Sequence, residues 1–221
     1  MLLYNIKNIF SFLYIVNKIV YFTFTGNESM KLIKKLERMQ FRLPSVNMNL
    51  SGINTSGNQK MMSIILKKIV PRSCKKLEIN LGGGEFGIHS SGILNIMAQV
   101  SNEIILNNAK IKKEDFENII NFGSSCKKIN FVNCIISFEV CRIRQDSCNI
   151  TTLRFINNRE EEKWTKQKGK MINFLVSIYK SALKNNLEEV ILYDYGILVY
   201  EIQNLADNIG LFKVFFKNRD E

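Results

Sequence analysis

Four places in this chain carry residue types that can do chemistry. The first is Gly82-Gly83-Gly84, with Gly87 close behind. A glycine run can wrap phosphate, but a phosphate loop ends in Gly-Lys-Ser/Thr, so that an ammonium and a hydroxyl reach phosphate and metal. Here Glu85-Phe86-Gly87-Ile88 follows, and an acid beside the loop repels phosphate. The dinucleotide fingerprint is not matched either, so the glycines read as a turn between a strand and a helix. The second place is His89-Ser90-Ser91, a base next to two hydroxyls. Adjacent residues seldom align as a catalytic pair, and no Asp stands in a recognisable partner motif. The third is the acidic runs Glu160–Glu162 and Glu188-Glu189, which read as surface charge. The fourth is the five cysteines, an odd number with no zinc-ribbon spacing. They read as small, buried, unpaired residues, which fits a reducing compartment and a cytoplasmic location. His89 is the only histidine, which excludes metal sites needing two imidazoles. None of this implies a cofactor, a metal or a small-molecule substrate, and the chain reads as a non-enzyme.

Charge narrows the partner classes. The 221 residues carry a net charge of +11, which at first suggests nucleic acid. Residues 1–42 hold seven Lys/Arg against two Glu, a net of +5, and the remaining +6 is spread along the chain. No basic stripe with interleaved aromatics stands out, so nucleic acid is not the expected partner. Composition is skewed, with 30 Ile and 26 Asn against 4 Ala, which reads as coding bias and carries no function.

What organises the chain is a recurring eleven-residue pattern. It runs Cys74-x-x-Leu77-x-Ile79-x-x-Gly82-x-Gly84, then Ser101-x-x-Ile104-x-Leu106-x-x-Ala109-x-Ile111. It returns as Cys126-x-x-Ile129-x-Phe131-x-x-Cys134-x-Ile136 and Leu187-x-x-Val190-x-Leu192-x-x-Tyr195-x-Ile197. Fainter copies lie around Leu43, Val46, Met48, Ser51 and Ile53, around Ile150, Leu153, Phe155 and Asn158, and around Leu211, Val214 and Phe216. The second anchors are Val46, Leu77, Ile104, Ile129, Leu153, Val190 and Val214, at steps of 31, 27, 25, 24, 37 and 24 residues. The pattern resembles the leucine-rich repeat, Leu-x-x-Leu-x-Leu-x-x-Asn/Cys-x-Leu, in its longer, ribonuclease-inhibitor-like form. The resemblance covers roughly Leu43 to the C-terminus. It implies an α/β leucine-rich-repeat solenoid, a horseshoe with parallel strands on the concave side and helices on the convex side.

The residues between copies agree with that reading. Each copy alternates apolar and polar positions at its centre, the periodicity of a strand. A parallel strand needs a crossover before the next one. Ser91 is placed to cap a helix carrying Ile93, Ile96, Met97 and Val100. Lys113–Phe122 puts Phe116, Ile119 and Ile120 on one face, with Gly123 to end it. Met61, Ile65 and Ile69 form a stripe stopped by Pro71, and Ile202, Leu205 and Ile209 form another before Gly210. The long step holds an insertion at residues 157–170, where Glu160–Glu162 suit the first turn of a helix continued by Trp164, Ile172, Leu175, Tyr179 and Leu183.

Residues 1–29 form an apolar N-terminal segment with Lys7, Ser11, Tyr14 and Lys18 on one side of a helical wheel and Leu2, Ile6, Ile9, Leu13, Val16 and Val20 on the other. The spacing predicts an amphipathic helix. Four readings stand open: a cap over the end of the solenoid, a helix lying on a membrane surface, a helix spanning a membrane despite two lysines, and a start upstream of the native one, with Met30 first. Residues 30–42 read as a basic cap helix. Leu43-Pro44 resembles the start of an F-box, the module of ubiquitin-ligase adaptors, but Ser45–Ser51 does not continue that pattern.

The resemblance also implies where a partner docks, since the concave strand face of such repeats commonly binds proteins. Its outward positions are polar in the first half. In the second half they gather Ile105, Val132, Arg154, Ile156, Ile191, Tyr193 and Phe215. Contiguous apolar residues with Tyr and Arg are typical of protein contacts. The expectation is a protein-interaction module binding a protein partner on these residues. The alternatives are a membrane-associated repeat protein tethered by residues 1–24 and, less strongly, a substrate adaptor of a ubiquitin ligase.

Overall fold

Alternating apolar residues become strands when one face is buried and every backbone group finds a partner. A computed structural model describes residues 13–16, 19–23, 45–51, 74–137, 142–143, 148–156, 173–178, 180–181, 183, 186–193 and 213–217. At 13–16, 20, 22, 88–91, 193 and 213–217 the description extends to the backbone alone. The elements are β1 (Leu13–Val16), β2 (Ile19–Thr23), β3 (Ser45–Asn49), β4 (Lys76–Asn80), α1 (Phe86–Met97), β5 (Glu103–Asn107), β6 (Lys110–Ile111), α2 (Lys113–Phe122), β7 (Lys128–Val132), β8 (Ile135–Ile136), β9 (Thr152–Ile156), β10 (Glu189–Tyr193) and β11 (Lys213–Lys217). Residues 173–178 are helical as well.

The chain is α/β, with a mostly parallel sheet. Nine strands run in the order β1-β2-β3-β4-β5-β7-β9-β10-β11, each long strand beside the next one in the sequence. β1 and β2 form an antiparallel hairpin, and every pairing from β2 onward is parallel. The seven expected anchors fall in one row: Val46, Leu77, Ile104, Ile129, Leu153, Val190 and Val214 pair in turn. β6 and β8 add a two-stranded parallel sheet, extended by a bridge from Glu85 to Lys110.

The core lies where the second and fourth positions of the strands meet the helices. Leu77, Ile79, Ile104, Leu106, Ile129, Phe131, Leu153 and Phe155 are buried completely. Phe86, Ile93, Ile96 and Met97 of α1 and Phe116, Ile119 and Ile120 of α2 close over them. Phe116 stands 5.4 Å from Phe131 and 5.0 Å from Phe174, so α2, β7 and the 173–178 helix share one aromatic cluster. Helix α2 follows the expected span, and Gly123 ends it where a Cβ would lie 2.8 Å from the Ile119 carbonyl and 2.9 Å from Ile129 Cδ1.

Three expectations change. Residues 13–16 and 19–23 pair as antiparallel strands rather than belonging to an amphipathic helix. Ile15, Val16, Ile19, Val20 and Tyr21 are β-branched or aromatic, poor helix formers that fit a pleated sheet. β3 offers an edge whose backbone groups need partners, and β2 supplies them, pairing Val20 with Val46. Helix α1 begins at Phe86, not after Ser91, because Phe86 is itself a buried anchor. Glu85 takes the cap position, without a capping side-chain bond. The fourth anchor of the pattern is not shared by all copies. Ala109 and Cys134 are buried, whereas Ser51 and Gly82 are exposed. Leu50 and Leu81 are buried instead, and the chain from β4 turns one residue later, at Gly82 (φ +59°), than it does at Asn108 and Asn133 (both φ +52°). The expected helices over 30–42, 61–69, 157–172 and 202–209 lie outside the described residues.

Candidate functional site

Because side chains alternate across a strand, the first, third and fifth positions line the face opposite the core. Register stacks them into three rows. The middle row runs Asn47, Glu78, Ile105, Asn130, Arg154, Ile191, Phe215. The last row runs Asn49, Asn80, Asn107, Val132, Ile156, Tyr193, Lys217. All seven expected partner-binding residues therefore lie on adjoining positions, with Asn130 between Ile105 and Arg154. They are less open than anticipated. Ile105, Val132, Arg154 and Ile156 are half-buried, and Ile191 is only 6 % exposed. Parallel strands about 4.8 Å apart make neighbours in a row shield one another. Tyr193 and Phe215 are placed by register alone.

The earlier half of the face is polar and internally bonded. Lys76 Nζ lies 3.1 Å from Glu103 Oε2, and Asn130 Nδ2 donates to Glu103 Oε1 at 2.8 Å. Asn107 Nδ2 donates to Glu78 Oε1 at 2.9 Å. Burial works against the Glu103 carboxylate, but the bonds from Lys76 and Asn130 outweigh it and hold its carboxyl below the usual range. The sequence marks this half as polar but does not show which of its side chains bond to one another. A hint was there: Lys76, Glu103 and Lys128 alternate in sign at one repeat position. At the junction of the halves, Asn130 Oδ1 and Arg154 Nε are both buried without a hydrogen-bond partner.

Among the described residues, the other chemistry-bearing side chains assemble no reactive centre. In the glycine turn, Gly82 N–H donates to Asn80 Oδ1 (2.9 Å), Gly83 N–H to the Asn108 carbonyl (2.5 Å) and Gly84 N–H to the Leu81 carbonyl (3.0 Å). With its amides consumed internally, the turn offers no phosphate cradle. Glu85 is bonded to Lys112 at 3.0 Å. A groove of about 310 Å³ lies after β4, β5 and β7, lined by Gly82, Gly83, Asn108, Ala109, Lys110, Asn133 and Ile135. The amides of Lys110 and Ile135 are likewise spent, on the Gly84 and Ala109 carbonyls. His89, Ser90 and Ser91 are consecutive residues inside α1, and neighbours in a helix do not face each other.

Cys74, Cys126, Cys134 and Cys148 are buried thiols. Cys74 and Cys126 hold equivalent places and donate to the carbonyls two residues on, Lys76 and Lys128, at 3.2 and 3.0 Å. Cys134 donates to the Leu106 carbonyl at 3.2 Å. Burial pushes the thiols of Cys74 and Cys134 up to about 11 and that of Cys126 to about 12, so they stay protonated and unreactive at neutral pH. Among the described residues no three metal-capable side chains cluster, and no helix is long and apolar enough to cross a membrane.

Comparison with family models, with curated proteins and with solved structures finds no match to this chain.

Proposed function

We propose that this chain is a non-catalytic protein-interaction module of the leucine-rich-repeat solenoid kind, which binds a protein partner on the strand face opposite its helices. One observation carries the reading. Seven repeat copies set in register bring Ile105, Val132, Arg154, Ile156, Ile191, Tyr193 and Phe215 onto adjoining positions of one face. Burial of apolar surface around a few aromatic and Arg anchors is the usual source of affinity between proteins. A parallel sheet whose long strands follow chain order is what a stack of strand–crossover units produces. The β1–β2 hairpin extends the first-repeat edge, which favours the cap reading of the N-terminal segment over a membrane tether.

The test uses the full chain as bait in the cells that express it, beside Ile156→Asp/Tyr193→Asp. A partner recovered by the first and lost by the second, at unchanged melting temperature, supports the strand face. Equal recovery by both, or recovery by neither, refutes it.

A further inference from the structure

Arg154 stands out on the proposed face. Its row neighbours are Asn130 and Ile191, and Val132 and Ile156 flank it in the next row. It is half-buried, and its Nε is sealed from solvent with no hydrogen-bond partner, which leaves the Nη end as the open part of the guanidinium. The natural acids are engaged or displaced. Glu103 lies two strands away, about 10 Å at the usual strand spacing, and is occupied by Lys76 and Asn130. Glu189 lies one row off, opposite Thr152, and forms no ion pair with Arg154 among the described residues. A guanidinium whose Nε is buried and unbonded, beside apolar side chains, binds a carboxylate strongly, because a planar fork meets two oxygens at once.

Resting on the reading of this face as a partner site, we infer that the partner delivers a carboxylate, an Asp or Glu side chain within an apolar segment, to the Nη end of Arg154. The flanking apolar residues of that segment cover Val132, Ile156 and Ile191. The Lys76–Glu103–Asn130 ladder borders the site; Glu103 feels the charge of Arg154, but its two oxygens are already bonded to Lys76 and Asn130.

The probe is a library of random twelve-residue peptides displayed on phage and selected on the full chain. Enriched peptides are then synthesised, and their Kd measured by fluorescence anisotropy. The expected peptides carry Asp or Glu between apolar residues. Changing that acid to Asn or Gln weakens binding to the wild-type chain about tenfold or more, as does Arg154→Gln, with Arg154→Lys intermediate. The peptide substitution needs no protein variant, so it stands even if Arg154→Gln lowers stability. Peptides that are lost on Ile156→Asp but unaffected by amidating their acids overturn the carboxylate inference and leave the strand-face reading intact. Peptides indifferent to both Ile156→Asp and Arg154→Gln, or no enrichment at all, overturn both.

Discussion

Replacing Phe131 by Ala tests the register on which every other statement rests. Phe131 is fully buried at the fourth position of β7. Its ring stacks on Phe155 at 5.2 Å and 12° and meets Phe116 at 5.4 Å. Truncating a buried Phe costs about 3–5 kcal/mol. Two aromatic pairs, each worth about 0.5–1.5 kcal/mol beyond area, place this site in the upper half of that range. The control is the next residue. Val132 faces the other side and is half-buried. At about 0.8 kcal/mol per fully buried methylene, Val132→Ala costs below about 1 kcal/mol. Urea denaturation of the full chain reads the difference. With a slope of about 2–3 kcal/mol/M, the midpoint falls by about 1.3–2.5 M for Phe131→Ala and by less than about 0.5 M for Val132→Ala. Phe215→Ala, in the row of Arg154 and Ile191, belongs with the small effects. Equal losses at Phe131 and Val132 would mean that the strand is turned over, and the face assignment would fall with it.

Further outcomes follow from local geometry. Gly82→Ala meets both a left-handed backbone (φ +59°) and a Cβ 2.4 Å from Ser51 Cβ, whereas Gly83→Ala (φ +88°) meets nothing within 4 Å. Both lose about 1–2 kcal/mol to conformation, and thermal melting should show Gly82→Ala losing clearly more; the reverse order would contradict the turn. In the native protein at pH 8, iodoacetamide followed by peptide mass mapping should leave Cys74, Cys126 and Cys134 unlabelled until the chain is unfolded. The same thiols tie stability to alkali. Their folded values of about 11–12 lie above the ordinary 9.0, so their contribution is complete below pH 9 and is lost as pH rises toward 11–12; unchanged urea midpoints between pH 8 and 10 would contradict this. Glu103 works in the opposite sense. Its carboxyl sits below the ordinary 4.5, so its contribution is present above that pH and fades as pH falls through the folded value. Glu103→Gln should therefore cost about 1 kcal/mol at pH 7 and progressively less in acid, measured by urea midpoints.

The strand positions were legible because a period of two over an apolar core is a one-dimensional signal. Each of the seven anchors, Val46 through Val214, was readable from spacing, and so was the whole of α2, where Phe116, Ile119 and Ile120 mark one helical face. The N-terminal hairpin was not. Val20 and Phe22 stand 26 residues before Val46 and Met48, in step with the repeat. The same apolar run also fits a helical wheel, and only the waiting edge of β3 decides between the two. The start of α1 was misplaced because Ser91 is a good cap by type, while burial of Phe86 outweighs a cap worth about 1 kcal/mol.

The candidate face divides in the same way. Which residues share it follows from sequence alone, since alternation assigns Ile105, Val132, Arg154, Ile156, Ile191, Tyr193 and Phe215 to one side of their strands. How open they are does not follow, because exposure is set by neighbours 24–37 residues away in the chain. Ile191 is closed off, Asn130 is drawn down to 4 % exposure to reach Glu103, and Arg154 is left half-buried with its Nε unbonded. Sequence determined the repeat and its phase, which are properties of a strand with itself. Tertiary structure decided which polar groups satisfy one another and which stay unbonded, because hydrogen bonds and burial belong to pairs of strands.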